Sequence, residues 1–355
     1  MPGSAATESQ HDGVLSIEEC SDRDADDWNA AASVVGGSFY HLWQWRDINR
    51  ESLGHPTISL AARRNGAIVG LLPLVYVEHR VFGRILCSMP FVNFGGACAA
   101  DDETGAALAR AAMGVARERH ADYLELRCTQ TLNLGLPVTT HKISMTITLA
   151  ADADTLWNGF THKHRKNVRR AYKNELSVVS GGLDQLPAFY KVMEESWRSH
   201  GTPLYSRDYF ANVLTSLGDR ARVFICLHRD EPVAAALTGY FNGVVEGLWA
   251  GGRAAARELD ANYVLYWEMI RDACTRGDRS FHLGRSTAQS GSEDFKSRWN
   301  AHSTPLYWYY FRPAGGEMPR LNVTNPKYQL AIRAWRHMPL WCTRRVGPML
   351  ARGIP

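Results

Sequence analysis

Ile58-Ser59-Leu60-Ala61-Ala62-Arg63-Arg64-Asn65-Gly66-Ala67-Ile68-Val69-Gly70-Leu71-Leu72 reads as a strand, a two-residue turn and a second strand. Asn-Gly supplies the left-handed residues a tight hairpin needs, and the flanking Ile, Leu and Val suit a pleated surface. The first strand covers Ile58 to Arg63 and the second Ile68 to Val77. A third follows at Ile85 to Pro90. Next come a loop, Asn93-Phe94-Gly95-Gly96, a helix from about Asp102 to Arg119 with acids in its first turn, and a closing strand from Tyr123 to Arg127. The order then returns. Val223 to His228 turns at Asp230-Glu231 into Val233 to Phe241, Val244 to Ala250 follows, and Gly251-Gly252 leads to a helix over Asp260 to Arg276 and a strand over Phe281 to Arg285. Arg229 stands 165 residues after Arg64, and Arg285 stands 158 after Arg127, so the two series are in near register. Helical segments precede each hairpin: Asp26 to Val35 and Trp43 to Ser52, then Leu183 to Ser199 and Ser206 to Leu217. Helices, an antiparallel meander, a helix and a further strand make an α+β layer order, present twice.

The rest of the chain agrees with two folded units. Its 355 residues are 45% hydrophobic and 21% charged, which excludes fibres and extended disorder. The net charge of +4 does not by itself dictate a polyanionic partner. Met1 to Asp12 is small and polar without a leader pattern, and Ile68 to Val77, the longest apolar run, is strand-length, so a cytoplasmic protein is expected. Seven cysteines, an odd number with no C-x-x-C, read as reduced and mostly buried. The expected organisation is an unordered 1–12, a first domain over 13–150, a second over 151–312 and a basic tail over 313–355. Leu132 to Leu149 joins the halves, and its alternating Ile143, Met145, Ile147 and Leu149 read as a crossing strand. Within the tail, Lys327, Arg333, Arg336, Arg344, Arg345 and Arg352 have no acid after Glu317, and Trp335 and Trp341 are interleaved.

Phosphate loops, dinucleotide fingerprints, serine-nucleophile elbows and zinc-protease signatures are all missing. His162 and His164 do not share a helical face and have no carboxylate beside them, so no metal is expected. The strongest local signal is residues 162–173, where six Lys or Arg and two His fall within twelve positions. On a helix, Arg165, Arg169 and Lys173 form one cationic stripe, and Lys163, Lys166 and Arg170 another. Such stripes suit a solvated surface or the phosphates of a ligand; duplex DNA or RNA is not expected, because the remaining charge is nearly balanced. A second constellation is Gly284-Arg285-Ser286 leading to Ser292-Glu293-Asp294-Phe295-Lys296, where Ser292 is the expected cap of a short helix and free N–H groups beside Lys296 suit an oxyanion. The glycines of Asn93-Phe94-Gly95-Gly96 allow close approach to a ligand or another strand. Gly201-Thr202-Pro203-Leu204-Tyr205 reads as a helix stop carrying an aromatic that covers a pocket or packs in the core.

Taken in order, Phe39-Tyr40-His41-Leu42-Trp43-Gln44-Trp45, Pro90-Phe91-Val92-Asn93-Phe94-Gly95-Gly96, Tyr123-Leu124-Glu125-Leu126-Arg127, Arg165-Lys166-Asn167-Val168-Arg169-Arg170, Gly201-Thr202-Pro203, Gly284-Arg285-Ser286, Phe295-Lys296-Ser297-Arg298-Trp299 and Asn325-Pro326-Lys327-Tyr328 resemble the FemAB-like family of the GNAT superfamily, in its exosortase/PEP-CTERM-associated branch. The resemblance implies two tandem GNAT-like (acyl-CoA N-acyltransferase-type) domains, the second BioF2-like, with a basic helical tail. It also implies transfer of an aminoacyl or acetyl group onto an amine of a cell-envelope or exopolysaccharide precursor. Phe295 and Lys296 map onto the active-centre pair of the family's ligases. Separately, Glu293 or Asp294 is the expected proton acceptor. Lys163, Arg165, Asn167, Arg169, Arg170, Lys173, Tyr205, Arg285, Ser286, Trp299, His41, Trp45 and Asn93 are the expected substrate-facing residues. Acyl-CoA or aminoacyl-tRNA is the expected co-substrate, with no tightly bound cofactor. The alternative reading is a non-catalytic scaffold that binds a lipid-linked sugar precursor at the inner membrane face through its tail.

Overall fold

A computed structural model of the chain describes residues 13–80, 82–316 and 326–355, without the side chains of 326–328. The expected unordered residues 1–12, and 317–325 of the tail link, lie outside the described residues. Two sheets carry the fold. In the first, the order is Leu15–Glu19, Thr57–Arg64, Ala67–His79, Gly83–Cys87, Tyr123–Cys128, Tyr307–Phe311 and Val138–Thr139, with Cys98–Ala99 paired to Ala67–His79. In the second it is His302–Pro305, Lys142–Thr148, Ser280–Thr287, Val244–Gly252, Glu231–Phe241, Ala221–His228 and Leu176–Gly181.

The duplicated order is present. Each half contains one parallel strand pair among antiparallel neighbours, Gly83–Cys87 with Tyr123–Cys128 and Val244–Gly252 with Ser280–Thr287. A parallel pair needs a crossover, and each has a helix: Asp102–Glu118, capped by Asp101, which accepts from Thr104 N at 2.7 Å, and Ala261–Thr275. The second hairpin turns one residue earlier than expected, at Arg229 and Asp230, which carry the left-handed φ angles.

The sheets exchange strands. The chain leaves the first sheet after Val138–Thr139 and enters the second at Lys142–Thr148. It returns from His302–Pro305 in the second to Tyr307–Phe311 in the first. A division near residue 150 is therefore a proposal about two halves that each borrow from the other's sequence. One core joins them: Phe39, Tyr40 and Trp45 pack with Phe189, Tyr209, Phe210 and Trp249. Gly239 is glycine because a Cβ there would lie 2.4 Å from the Phe39 ring.

The tail folds as two helices, Pro326–His337 and Leu340–Ala351. They pack on Leu186–His200, where Arg344 pairs with the buried Glu194 and Gly347 lets the backbone meet Leu204. His55 Nε2, 2.7 Å from Arg352 O, ties their end to the first half. No helix among the described residues is long and apolar enough to cross a membrane.

Candidate active site

In the second half, Val244–Gly252 and Ser280–Thr287 are joined over three residue pairs, Val244↔Ser280 to Glu246↔His282, and then separate. Both strands carry an irregularity there. Leu248 is unpaired opposite Leu237 and Thr238, and Leu283-Gly284 interrupt the pairing with Lys142–Thr148. Such bulges bend a strand and re-aim its side chains. Gly284 has φ +78°, and a Cβ there would approach Gly247 O at 3.1 Å, so only glycine fits without strain.

The separation opens a cavity of about 240 Å³. One end is apolar, lined by Leu237, Leu248, Trp249, Tyr266, Met269 and Phe281. The other is polar: Asn93, Arg285, Ser292 and Lys296. Lys296 lies on the helix Gly291–Ser297 and is 6% exposed. Its ammonium donates to Gly284 O at 2.9 Å and Arg285 O at 3.0 Å. Since an ammonium has three donors, one is left for a ligand. Burial, and then the nearby Arg285 guanidinium, lower its pKa from 10.5 to about 8.

Asn93 is held from both sides. Its amide donates to Tyr40 Oη at 2.6 Å and Gly247 O at 3.1 Å, and its carbonyl accepts from Arg285 N at 3.5 Å. Tyr40 Oη donates to Glu246 Oε2 at 3.1 Å, and Glu246 pairs with His282 Nδ1. Glu246 is 2% and His282 3% exposed, so this ion pair or hydrogen bond lies in the interior. Burial and the Glu246 carboxylate push the Tyr40 phenol well above 10, which keeps it a neutral donor.

Other expected site residues are distributed as follows. Phe295 packs edge-on to Tyr263 and Tyr266, fixing the short helix on the crossover helix. Ser290, not Ser292, caps that helix, accepting from Glu293 N at 3.4 Å. Ser292 Oγ lies 3.1 Å from Ser286 Oγ. Glu293 accepts from Gln289 N at 2.6 Å, Asp294 is exposed, and neither lines the cavity. Trp299 is buried against Phe160 and His164, while Tyr205 stacks among Trp197, Tyr209 and Trp249. His41 and Trp45 are structural: His41 bridges Ser38 and Gly96 O, and Trp45 Nε1 donates to Phe39 O at 2.9 Å.

The cationic segment is the helix His162–Tyr172. Its buried face is His164, Val168 and Ala171. His164 sits 4.3 Å from the Trp299 ring, and burial lowers its pKa to about 4. Lys163, Arg165, Asn167, Arg169, Arg170 and Lys173 do not line the cavity. Arg169 lies over Trp157, Arg165 donates to Asn158, and Arg170 pairs with Asp260 at 2.7 Å. Asp260 stands just before the crossover helix whose Tyr266 lines the cavity, about 9 Å further along at 1.5 Å per residue. The helix therefore flanks the slot rather than forming its wall.

The first half repeats the parting strands but fills the gap. After Ile85↔Tyr123 to Cys87↔Glu125, Ser88 N donates to Glu125 O at 2.9 Å. Gly95 N and Gly96 N both donate to Arg127 O, at 3.2 and 2.8 Å. A Cβ on Gly96 would lie 2.5 Å from Cys128 Sγ, so these glycines serve approach to another strand. Sequence reasoning missed Glu246, His282 and Tyr40, the residues that hold Asn93 in place. Glu246 had a signal, as the single polar residue of its apolar strand, and it lies directly opposite His282.

Among the described residues no cluster of His, Cys, Asp or Glu suits a metal ion, and all seven cysteines are free. A comparison with curated protein sequences finds no match. Among solved structures the chain is similar in fold to FemX (TM-score 0.63, 15% identity, covering 89% of this chain and 100% of that one). It is similar also to L-PGS from Bacillus licheniformis (0.56, 13%, 90% and 99%) and to a tandem GNAT protein from the clavulanic acid biosynthesis pathway (0.54, 11%, 86% and 100%). Over residues 162–297, which hold the cationic helix, both parting strands and Lys296, the chain matches the family profile of the acetyltransferase (GNAT) domain.

Proposed function

We propose that the second half transfers an acyl group from an acyl-CoA thioester to an amine of a cell-envelope or exopolysaccharide precursor. The observation that carries this is the opening between Val244–Gly252 and Ser280–Thr287, with Lys296 on its polar wall. The apolar end takes the donor's acyl and thioester arm. The amine nitrogen attacks the carbonyl carbon, a C–N bond forms, the C–S bond breaks, the amine gives up one proton and the sulfur ends as a thiol. Lys296 donates its remaining N–H to the oxygen on which negative charge develops. Outside the cavity, Arg165, Arg169 and Lys173 face the donor's phosphates. No cysteine or serine acts as nucleophile; burial pushes the Cys87, Cys128 and Cys226 thiols up.

The test is thiol release from acetyl-CoA in the presence of an amine panel. Lys296→Met should lower kcat roughly 10²–10³-fold, the usual loss for one oxyanion donor, with the circular dichroism spectrum unchanged. Undiminished turnover rejects this role.

A second part of the reading concerns the tail. Trp341 is 70%, Leu330 69% and Met349 64% exposed. Trp341, Arg345 and Met349 recur every four residues on one face, and residues 326–355 contain no Asp or Glu. That face fits the surface of an anionic bilayer. The full chain should float with phosphatidylglycerol vesicles and not with phosphatidylcholine vesicles, and Trp341→Glu should abolish flotation. Absence of flotation for the full chain removes the membrane contact.

A further inference from the structure

The polar end of the cavity holds more positive charge than the protein balances. Arg127, on the first sheet, is 1% exposed and donates to Glu125 at 2.6 Å, which occupies that carboxylate. Glu246 is held by His282 and Tyr40. Arg285, Lys296 and Lys142 form no salt bridge among the described residues, and Lys142 Nζ donates only to Thr287 Oγ1 at 2.9 Å. The guanidinium carbons of Arg127 and Arg285 lie 4.5 and 5.6 Å from the same Trp308 ring. Two donors there are buried without an acceptor: Arg285 Nη1 and Trp308 Nε1. The crowding leaves its mark on Arg285 and Lys142. Burial and then Arg127 lower Arg285 to about 10, and burial followed by Arg285 and Arg127 lowers Lys142.

A half-buried guanidinium with a buried, unpaired donor and like-charged neighbours is costly unless a ligand supplies the missing oxygens. Arg285 also lines the cavity, beside Lys296 and Asn93, so the ligand that satisfies it must lie next to the reacting centre.

We propose that Arg285, with Lys142 behind it, is an anion subsite, and that the acceptor amine carries its own carboxylate or phosphate, which this subsite grips. The planar fork of Arg285 matches two oxygens of either group. Seating the anion there orients the amine toward the apolar end, where the acyl carbon lies. This rests on the acyl-transfer reading of the same cavity and adds the acceptor's charge to it.

The experiment uses the full chain, acetyl-CoA and three small amines: propylamine, β-alanine and O-phosphoethanolamine. The wild type should favour one or both anionic amines over propylamine at least 100-fold in kcat/KM, and which of the two is favoured separates carboxylate from phosphate. Arg285→Gln should reduce that preference to within threefold. Equal use of all three amines by the wild type, or an equal loss on all three in Arg285→Gln, overturns the subsite. A second measurement needs no turnover. Inorganic phosphate or acetate, at matched ionic strength against chloride, should raise the unfolding temperature of the wild type and not that of Arg285→Gln. No shift in the wild type overturns the subsite. A shift without turnover of any amine overturns the acyl-transfer reading and leaves the anion site standing. Because the substitution removes an uncompensated buried charge, Arg285→Gln should unfold no lower than wild type in chloride alone.

Discussion

Lys296 does two things that its pKa ties together. As a protonated donor it must keep its third N–H for the developing oxyanion, so activity is present while the ammonium persists and falls as pH rises through about 8. Folding responds in the opposite sense. The unfolded lysine titrates near 10.5 and the folded one near 8, so between those values the unfolded chain binds more protons and stability rises with pH. The expected outcome is a kcat that declines above about pH 8 while the unfolding temperature of wild type, relative to Lys296→Met, increases from about pH 8 to pH 10. A pH-independent kcat over that range removes Lys296 as the donor. Lys296 could be picked out from Phe295-Lys296 beside a strand end. Its two carbonyl partners could not, because they come from the bulge at Gly284, a backbone irregularity that no residue type announces except a glycine in mid-strand.

At the scale of elements, the cationic helix is placed by its buried face and not by its charges. His164, Val168 and Ala171 hold it against the core, leaving Lys173 exposed, Arg165 half-buried beside Asn158, and Arg170 paired with Asp260 at the start of the crossover helix. Replacing Arg165 and Lys173 together by Glu should raise KM for acetyl-CoA roughly tenfold with little change in kcat. It should also weaken the salt dependence of donor binding, since exposed charges more than about 8–10 Å from their target are screened at physiological salt. An unchanged KM leaves the helix as a solvated surface. The hairpins and crossover helices were legible because their signals are local: Asn65-Gly66, alternating apolar residues, and acids in the first turn of Asp102–Glu118. Asn93, Arg285 and Lys296 were each expected to face a substrate, but that Asn93 meets Arg285 was not legible, because the two come from different halves. The strand Tyr307–Phe311 went unread although five consecutive aromatics, Tyr307-Trp308-Tyr309-Tyr310-Phe311, are strong strand formers.

Across the whole molecule, duplication has produced one open slot and one closed by its own chain. The Gly95 and Gly96 amides fill in the first half the gap whose backbone in the second is met by the Asn93 and Lys296 side chains. Native mass spectrometry with acetyl-CoA should show one donor per chain; a second bound donor would mean that the first slot opens. The first half instead lends Asn93 and Tyr40 to the second, and the core that joins the halves holds them in place.

The return of Tyr307–Phe311 to the first sheet also has a temporal meaning. During synthesis, Tyr123–Cys128 leaves the ribosome long before the strand that covers its edge. At about 5–20 residues per second that edge waits roughly 10–40 s for its neighbour. A nascent chain paused anywhere in this interval carries an unpaired strand edge, a template on which another chain can pair.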